Sequence, residues 1–306
     1  MLGKERMQLV RKLLPGFSPR EEISSERDLP DIQEAGKFEV DFRSASPREI
    51  HSRLLIDGCC ILRNAIAVSS ILKYHDMVEK AYASIVQRMK AGEKVSDFDR
   101  VNIRDHQFTD IFGADNSFFH LLGEQKFTKL NDAVFGRNRY EKALPESCTR
   151  SIHCSKPRKR DRTSFPPLST HFDSIYHETW RQFSINFWIP FSTCGVGTDL
   201  PGLMIYPADF RDVRQYLGVR TEGDLEKLRA SPGNPRPMEK LYPQLEALYK
   251  AKDIKPIIPY FELGDVMVFN GWVPHATYAD GKMTGCRRNL ELRFQGDNWE
   301  PMPSTL

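Results

Sequence analysis

The run STHFDSIYHETWRQFSINFWIPF at 169–191 sets His171 and Asp173 two positions apart. On an extended strand such residues point to one face, so an imidazole and a carboxylate can converge on a single cation. In a chain with 8 histidines and 41 acidic residues, a pair of this kind also arises by chance, so its weight depends on a third donor. The later run FELGDVMVFNGWVPHATYADGKMTGCRRNLELRF supplies one, because His275 follows an apolar strand and a Gly-Trp turn that can return it to the same place. Two neutral imidazoles and one carboxylate cover one face of iron(II) and leave three positions for a chelating cosubstrate and dioxygen. Twelve residues past His275, Arg287 opens the strand RRNLELRF, and its guanidinium can take the far carboxylate of a dicarboxylate whose other end chelates the metal.

Other residues compete for these roles. His177 lacks an acid two residues on and reads as a surface or supporting histidine. Arg288 neighbours Arg287, but the two point to opposite faces of a strand, so only one enters the interior. In FSINFWIPF, Ser184, Asn186 and Trp188 share one face and Phe183, Ile185, Phe187 and Ile189 the other. The polar face is assigned to the pocket, where Asn186 would donate to the cosubstrate or to a bound water. Trp188 and Trp272 read equally well as core aromatics or as pocket walls. The run KPRKRDR at 156–162 holds five basic residues in seven; it is either a solvated loop or a mouth that attracts an anionic substrate. His153, just before it, is read as substrate-facing or as a buried, hydrogen-bonded residue.

The elements that must position these groups change character along the chain. Residues 1–46 are polar and read as a loosely packed N-terminal arm, with Met7, Val10, Leu13 and Leu14 at helical spacing. Ser46 and Pro47 open a helix, Asp57-Gly58 make a turn, and CCILRNAI is an apolar strand. Ser69-Ser70 are expected to cap a long amphipathic helix that ends before Gly92, and a further helix is expected over about 116–136. From about Thr149 onward short β-rich runs predominate: TRSIHC, FSINFWIPF, GLMIYPA, PIIPYFEL, DVMVFN and RNLELRF. They predict an antiparallel sandwich or barrel, interrupted over about 209–254 by charged helical segments that read as a lid or substrate-covering insert. The reading is thus an arm over 1–46 and one domain over 47–306.

Lysine plus arginine (44) nearly balances aspartate plus glutamate (41), so composition does not call for a nucleic-acid partner. No apolar run approaches the roughly 18 residues of a membrane span, and the charged N-terminus does not read as a secretory leader. Six cysteines form no CxxC pair and fit a reduced, cytoplasmic setting.

Five segments in order resemble the phytanoyl-CoA dioxygenase family of iron(II) and 2-oxoglutarate oxygenases: LLIDGCCILRNAI, HFD, INFWIPF, PGLMIYPAD and the closing GDVMVFNGWVPHATYADGKMTGCRRNLELRF. The resemblance implies a mainly β double-stranded β-helix, or jelly roll, with N-terminal helices. It also implies His171, Asp173 and His275 as catalytic iron ligands, Arg287 as the partner of the distal carboxylate of 2-oxoglutarate, and Trp188 as a wall of that pocket. Thr277 falls where the family has a small hydroxyl residue near the same carboxylate. The family's Gly-Ser-His after the proline strand is replaced here by Ala208-Asp209-Phe210 and the long insert, which leaves the substrate open. The implied reaction consumes O2 and 2-oxoglutarate, releases succinate and CO2, and hydroxylates or desaturates a small molecule, anionic if the basic run faces the site. Because the Asp173 ligand is present, halogenation is disfavoured. Three other readings stand beside it: the same chemistry on a macromolecule or lipid, a silent jelly-roll binding module, and a metal-independent nucleic-acid binder.

Overall fold

Ser46 accepts a hydrogen bond from the Glu49 amide at 3.1 Å and Pro47 takes the first turn, so helix α1 runs Pro47–Ile56 as the cap and proline dictate. The chain then reverses at Gly58, whose φ of +72° no β-branched residue would adopt and whose Cβ would lie 2.3 Å from the Ala208 carbonyl oxygen. Strand β2, Cys59–Arg63, follows at once. The structure is a computed structural model that describes residues 33–96, 125–137, 139–142, 148–153, 170–175, 183–229, 237–280, 283–297 and 300–301. The basic run 156–162, His177 and residues 1–32 lie outside them.

Two expectations for the N-terminal part are corrected. The arm does not extend to residue 46: β1, Glu39–Asp41, pairs in parallel with β2, and Phe38, Val40 and Phe42 are buried. Val40 and Phe42 lie two apart and pack on the helical side, whereas Phe38 ends a 3-10 turn and packs on the inner side. Helix α2, Val68–Lys90, starts earlier than the serines imply, with Ala67 in the cap position and no side-chain cap. The Ile66 amide donates to the Gly264 carbonyl at 2.9 Å, so a tertiary contact sets the helix start and Ser69 and Ser70 fall inside the first turn. Helix α3, Gln125–Phe135, is the described part of the helix expected over 116–136.

The remaining strands are β3 Tyr140–Lys142, β4 Cys148–His153, β5 Ser184–Pro190, β6 Cys194–Gly195, β7 Gly202–Ile205, β8 Tyr260–Phe261, β9 Val266–Asn270, β10 His275–Tyr278 and β11 Cys286–Gly296. The large sheet has the order β1-β2-β9-β5-β11-β3, with β4 also paired to β11, and every pairing except β1 with β2 is antiparallel. A smaller layer is built from β10 and β7, widened by bridges from His171 to His275 and from Ile205 to Ile257. The fold is therefore the expected mainly β jelly roll with flanking helices, but among the described residues its two layers form an open sandwich and do not close into a barrel.

Strand alternation divides the core. Phe183, Ile185, Phe187, Ile189, Leu290, Leu292 and Phe294 face the helical side with Ile50, Leu54, Ile71, Tyr74, Phe127 and Leu130. Cys59, Ile61, Trp188, Met267 and Phe269 face inward, against Leu203, Ile205 and Ile257 of the smaller layer. The insert forms helices α4 Phe210–Tyr216, α5 Glu222–Arg229 and α6 Pro237–Ala251. Phe210, Val213, Leu225, Leu245 and Leu248 anchor these helices within the helical-side core.

Candidate metal centre

The layers face each other across a narrow, partly enclosed recess. His171, Asp173 and His275 line it, and one ligand atom from each lies within 4.8 Å of the others. Backbone pairing explains the meeting of residues about a hundred positions apart. His171 and His275 exchange both amide-to-carbonyl hydrogen bonds, at 2.9 and 2.8 Å, and their rings lie 4.3 Å apart. His275 is held on its other side by β7, opposite Ile205.

Asp173 begins a short 3-10 turn, Asp173–Ile175, and its carboxylate faces both imidazoles. That turn is tied to the 270s by the Ser174 amide, which donates to the Gly271 carbonyl at 2.9 Å, while the Gly271 amide donates to Ser184 at 3.0 Å. A Cβ at Gly271 would stand 2.4 Å from Ser184 Oγ and 2.7 Å from Ser174 Oγ, so no side chain fits between the ligand turn and β5. Gly271→Ala is expected to cost about 1–3 kcal/mol in denaturant unfolding. Gly36→Ala, where no atom lies within 4 Å of the added methyl, is expected to change stability by less than about 0.5 kcal/mol.

The polar geometry prepares the three donors for a cation. His275 Nδ1 lies 3.0 Å from the Val273 carbonyl oxygen; a carbonyl can only accept, so Nδ1 carries the proton and donates, and the Nε2 lone pair faces the recess. Nε2 of His275 and Nε2 of His171 each stand 3.9 Å from Asp173 Oδ1. That gap is too long for a hydrogen bond, yet two metal–ligand bonds of about 2.1 Å each span it. The donor set of two imidazoles and a carboxylate suits iron(II) with open positions.

Arg287 and Arg288 diverge as strand geometry requires. Arg287 is buried in the recess, donates to the Gly202 carbonyl at 2.7 Å and lies over the Trp188 ring at 4.7 Å. Arg288 points to the helical side and pairs with Glu79. Trp188 and Thr277 line the recess, with Leu203, Phe269 and Ala276 as apolar wall, whereas Trp272 is a core residue stacked on Phe172. Asn186 lines the recess, and its Nδ2 donates to Asp173 Oδ2 at 2.5 Å. It therefore orients a ligand, because the turn at Asp173 brings the carboxylate within its reach. Cys194 does not line the recess, and burial pushes its thiol up to about 12 despite the opposing influence of Arg287.

Glu291 and Arg293 also line the recess, and the sequence reading missed both. The alternation that placed Arg287 inward places them inward too, at i+4 and i+6 on β11. His153 has no described side chain.

The sequence profile of the phytanoyl-CoA dioxygenase (PhyH) family matches residues 56–288. No curated protein matches the chain. Among solved structures, the chain is similar to EctD from S. alaskensis, crystallised with 2-oxoglutarate and 5-hydroxyectoine, at 13% identity and a TM-score of 0.51, covering 92% of this chain and 87% of that one. HygX from Streptomyces hygroscopicus, with nickel and 2-oxoglutarate bound, matches at 11% identity and a TM-score of 0.48, covering 83% and 88%. The epimerase SnoN of nogalamycin biosynthesis matches at 10% identity and a TM-score of 0.46, covering 82% of each chain.

Proposed function

This chain belongs to the phytanoyl-CoA dioxygenase family of iron(II) and 2-oxoglutarate-dependent oxygenases, and from that premise we propose that it hydroxylates an aliphatic carbon of a small metabolite, anionic if the 156–162 run faces the recess. The observation that carries the reading is the convergence of His171, Asp173 and His275 in the recess that Arg287 and Trp188 also line.

Iron(II), 2-oxoglutarate and dioxygen together supply the oxidant, with the cosubstrate decarboxylated to succinate and CO2. The protein's residues do the rest. His171, Asp173 and His275 would hold the ion on one side only, so the opposite side stays open toward the recess. The Arg287 guanidinium would take the distal carboxylate of the cosubstrate in a two-pronged hydrogen bond, with Thr277 beside it. Trp188 supports that guanidinium from below and, with Leu203 and Phe269, keeps water from the reacting centre. The EctD structure with 2-oxoglutarate supports this choice of cosubstrate.

A cytoplasmic setting belongs to the same reading and is supported by Cys59, Cys60 and Cys194, which are buried free thiols. Among the described residues no helix is long and apolar enough to cross a membrane.

Anaerobic titration of the purified protein with iron(II) and 2-oxoglutarate tests the site. A weak visible charge-transfer band is expected, saturating at one equivalent of each, and absent in His171→Ala. A parent protein that shows no band and forms no succinate would instead be a silent jelly-roll module.

A further inference from the structure

We propose that Glu291 and Arg293 form a positioning pair for the metal-binding carboxylate of Asp173, with Glu291 taking up the guanidinium charge so that Asp173 keeps its own for the metal. The inference rests on the reading of His171, Asp173 and His275 as metal ligands.

Arg293 and Asn186 stand directly opposite one another on β11 and β5, so their side chains reach the same point from adjacent strands. That point is Asp173 Oδ2, which lies 2.5 Å from Asn186 Nδ2 and 3.5 Å from Arg293 Nη2. The other oxygen, Oδ1, faces both histidine Nε2 atoms at 3.9 Å. The carboxylate is thus oriented, one oxygen toward protein donors and one toward the two imidazoles, and it would offer a metal that second oxygen.

A guanidinium against a metal-binding carboxylate is a hazard as well as a support. Arg293 is buried, and in a low-dielectric interior its charge competes with the cation for Asp173. Glu291 resolves the competition. Its Oε2 lies 2.9 Å from Arg293 Nη2, closer than Asp173, and its Oε1 accepts from the fully buried Asn289 at 3.1 Å. Both Glu291 oxygens are therefore engaged on β11 itself, which suits holding Arg293 better than reading a substrate. Glu291 and Arg293 cancel as a pair, and Asp173 retains a net negative charge.

The test is nickel(II) affinity by calorimetry, which needs no turnover, with the 2-oxoglutarate affinity of the nickel form measured alongside. Glu291→Gln keeps the shape but leaves Arg293 facing Asp173 alone; nickel binding is expected to weaken about 10- to 100-fold. In Glu291→Gln/Arg293→Gln the competing charge is gone as well, and affinity is expected to recover to within about 10-fold of the parent, a non-additivity that loss of packing would not produce. Should Glu291→Gln not fold, Glu291→Asp takes its place, with a smaller loss expected. Nickel affinity within twofold of the parent in either single variant overturns the proposal. So does an unchanged nickel affinity with weakened 2-oxoglutarate binding, which would make the pair a cosubstrate contact. A parent that binds no nickel would sink the metal-site reading itself, an outcome distinct from a parent that binds and a variant that binds equally.

Discussion

Asp173→Ala is expected to lower succinate formation by at least about 10³-fold, the scale seen when a group that acts in concert with others is removed. The size follows from the position of this carboxylate. It is the one anionic donor of the three, and its Oδ1 is the atom to which both imidazole Nε2 atoms are equidistant at 3.9 Å. Its removal leaves two neutral ligands for a divalent ion and turns the Asn186 amide and the Arg293 guanidinium toward an empty site. Nickel addition should raise the melting temperature of the parent by mass action, by an amount that grows with nickel concentration above the Kd. In Asp173→Ala that rise is expected to vanish. A variant that keeps both the nickel shift and parental succinate formation would show that the metal sits elsewhere.

Arg287→Met is expected to raise the 2-oxoglutarate requirement and leave metal binding intact. Losing one partner of a buried, hydrogen-bonded charge pair costs about 2–5 kcal/mol, or roughly 30-fold to several-thousand-fold in affinity. Met retains most of the side-chain volume over Trp188, so the change reports charge and hydrogen bonding more than packing. The control lies one residue on. Arg288 faces the helical side and pairs with Glu79, so Arg288→Met is expected to leave the cosubstrate KM unchanged. Steady-state kinetics against 2-oxoglutarate decide the matter, and equal KM values for parent and Arg287→Met would remove Arg287 from the site.

Much of this site was legible in the residues. His-x-Asp is a two-residue spacing on extended backbone, and alternation on β11 allows only one of Arg287 and Arg288 to face inward; the family resemblance picked Arg287, which the structure places in the recess. The same alternation, carried two and three steps further, reaches Glu291 and Arg293. Neither was singled out because a charged residue on a strand near its end reads equally as solvent-facing. Asn186 was placed on the recess face, and its contact with Asp173 was not foreseen, since face is a local property and partner is not. The Ser69-Ser70 cap failed for a related reason: hydroxyl preference is worth about 1 kcal/mol, which a main-chain hydrogen bond from Ile66 to Gly264 can outweigh.

What the chain determines by itself is whatever rests on periods of two and 3.6 residues and on the chemistry of single side chains: the strands, the capped helix at Ser46, and two imidazoles with a carboxylate as a candidate metal-binding set. What tertiary structure alone decided is register between segments far apart in sequence. The bridge of His171 to His275, the cross-strand pair of Asn186 with Arg293 and the burial of the insert helices in the core each depend on contacts spanning tens to over a hundred residues. Local rules carry no term for such contacts, because the loop entropy that opposes them and the burial that offsets it are properties of the whole packed chain.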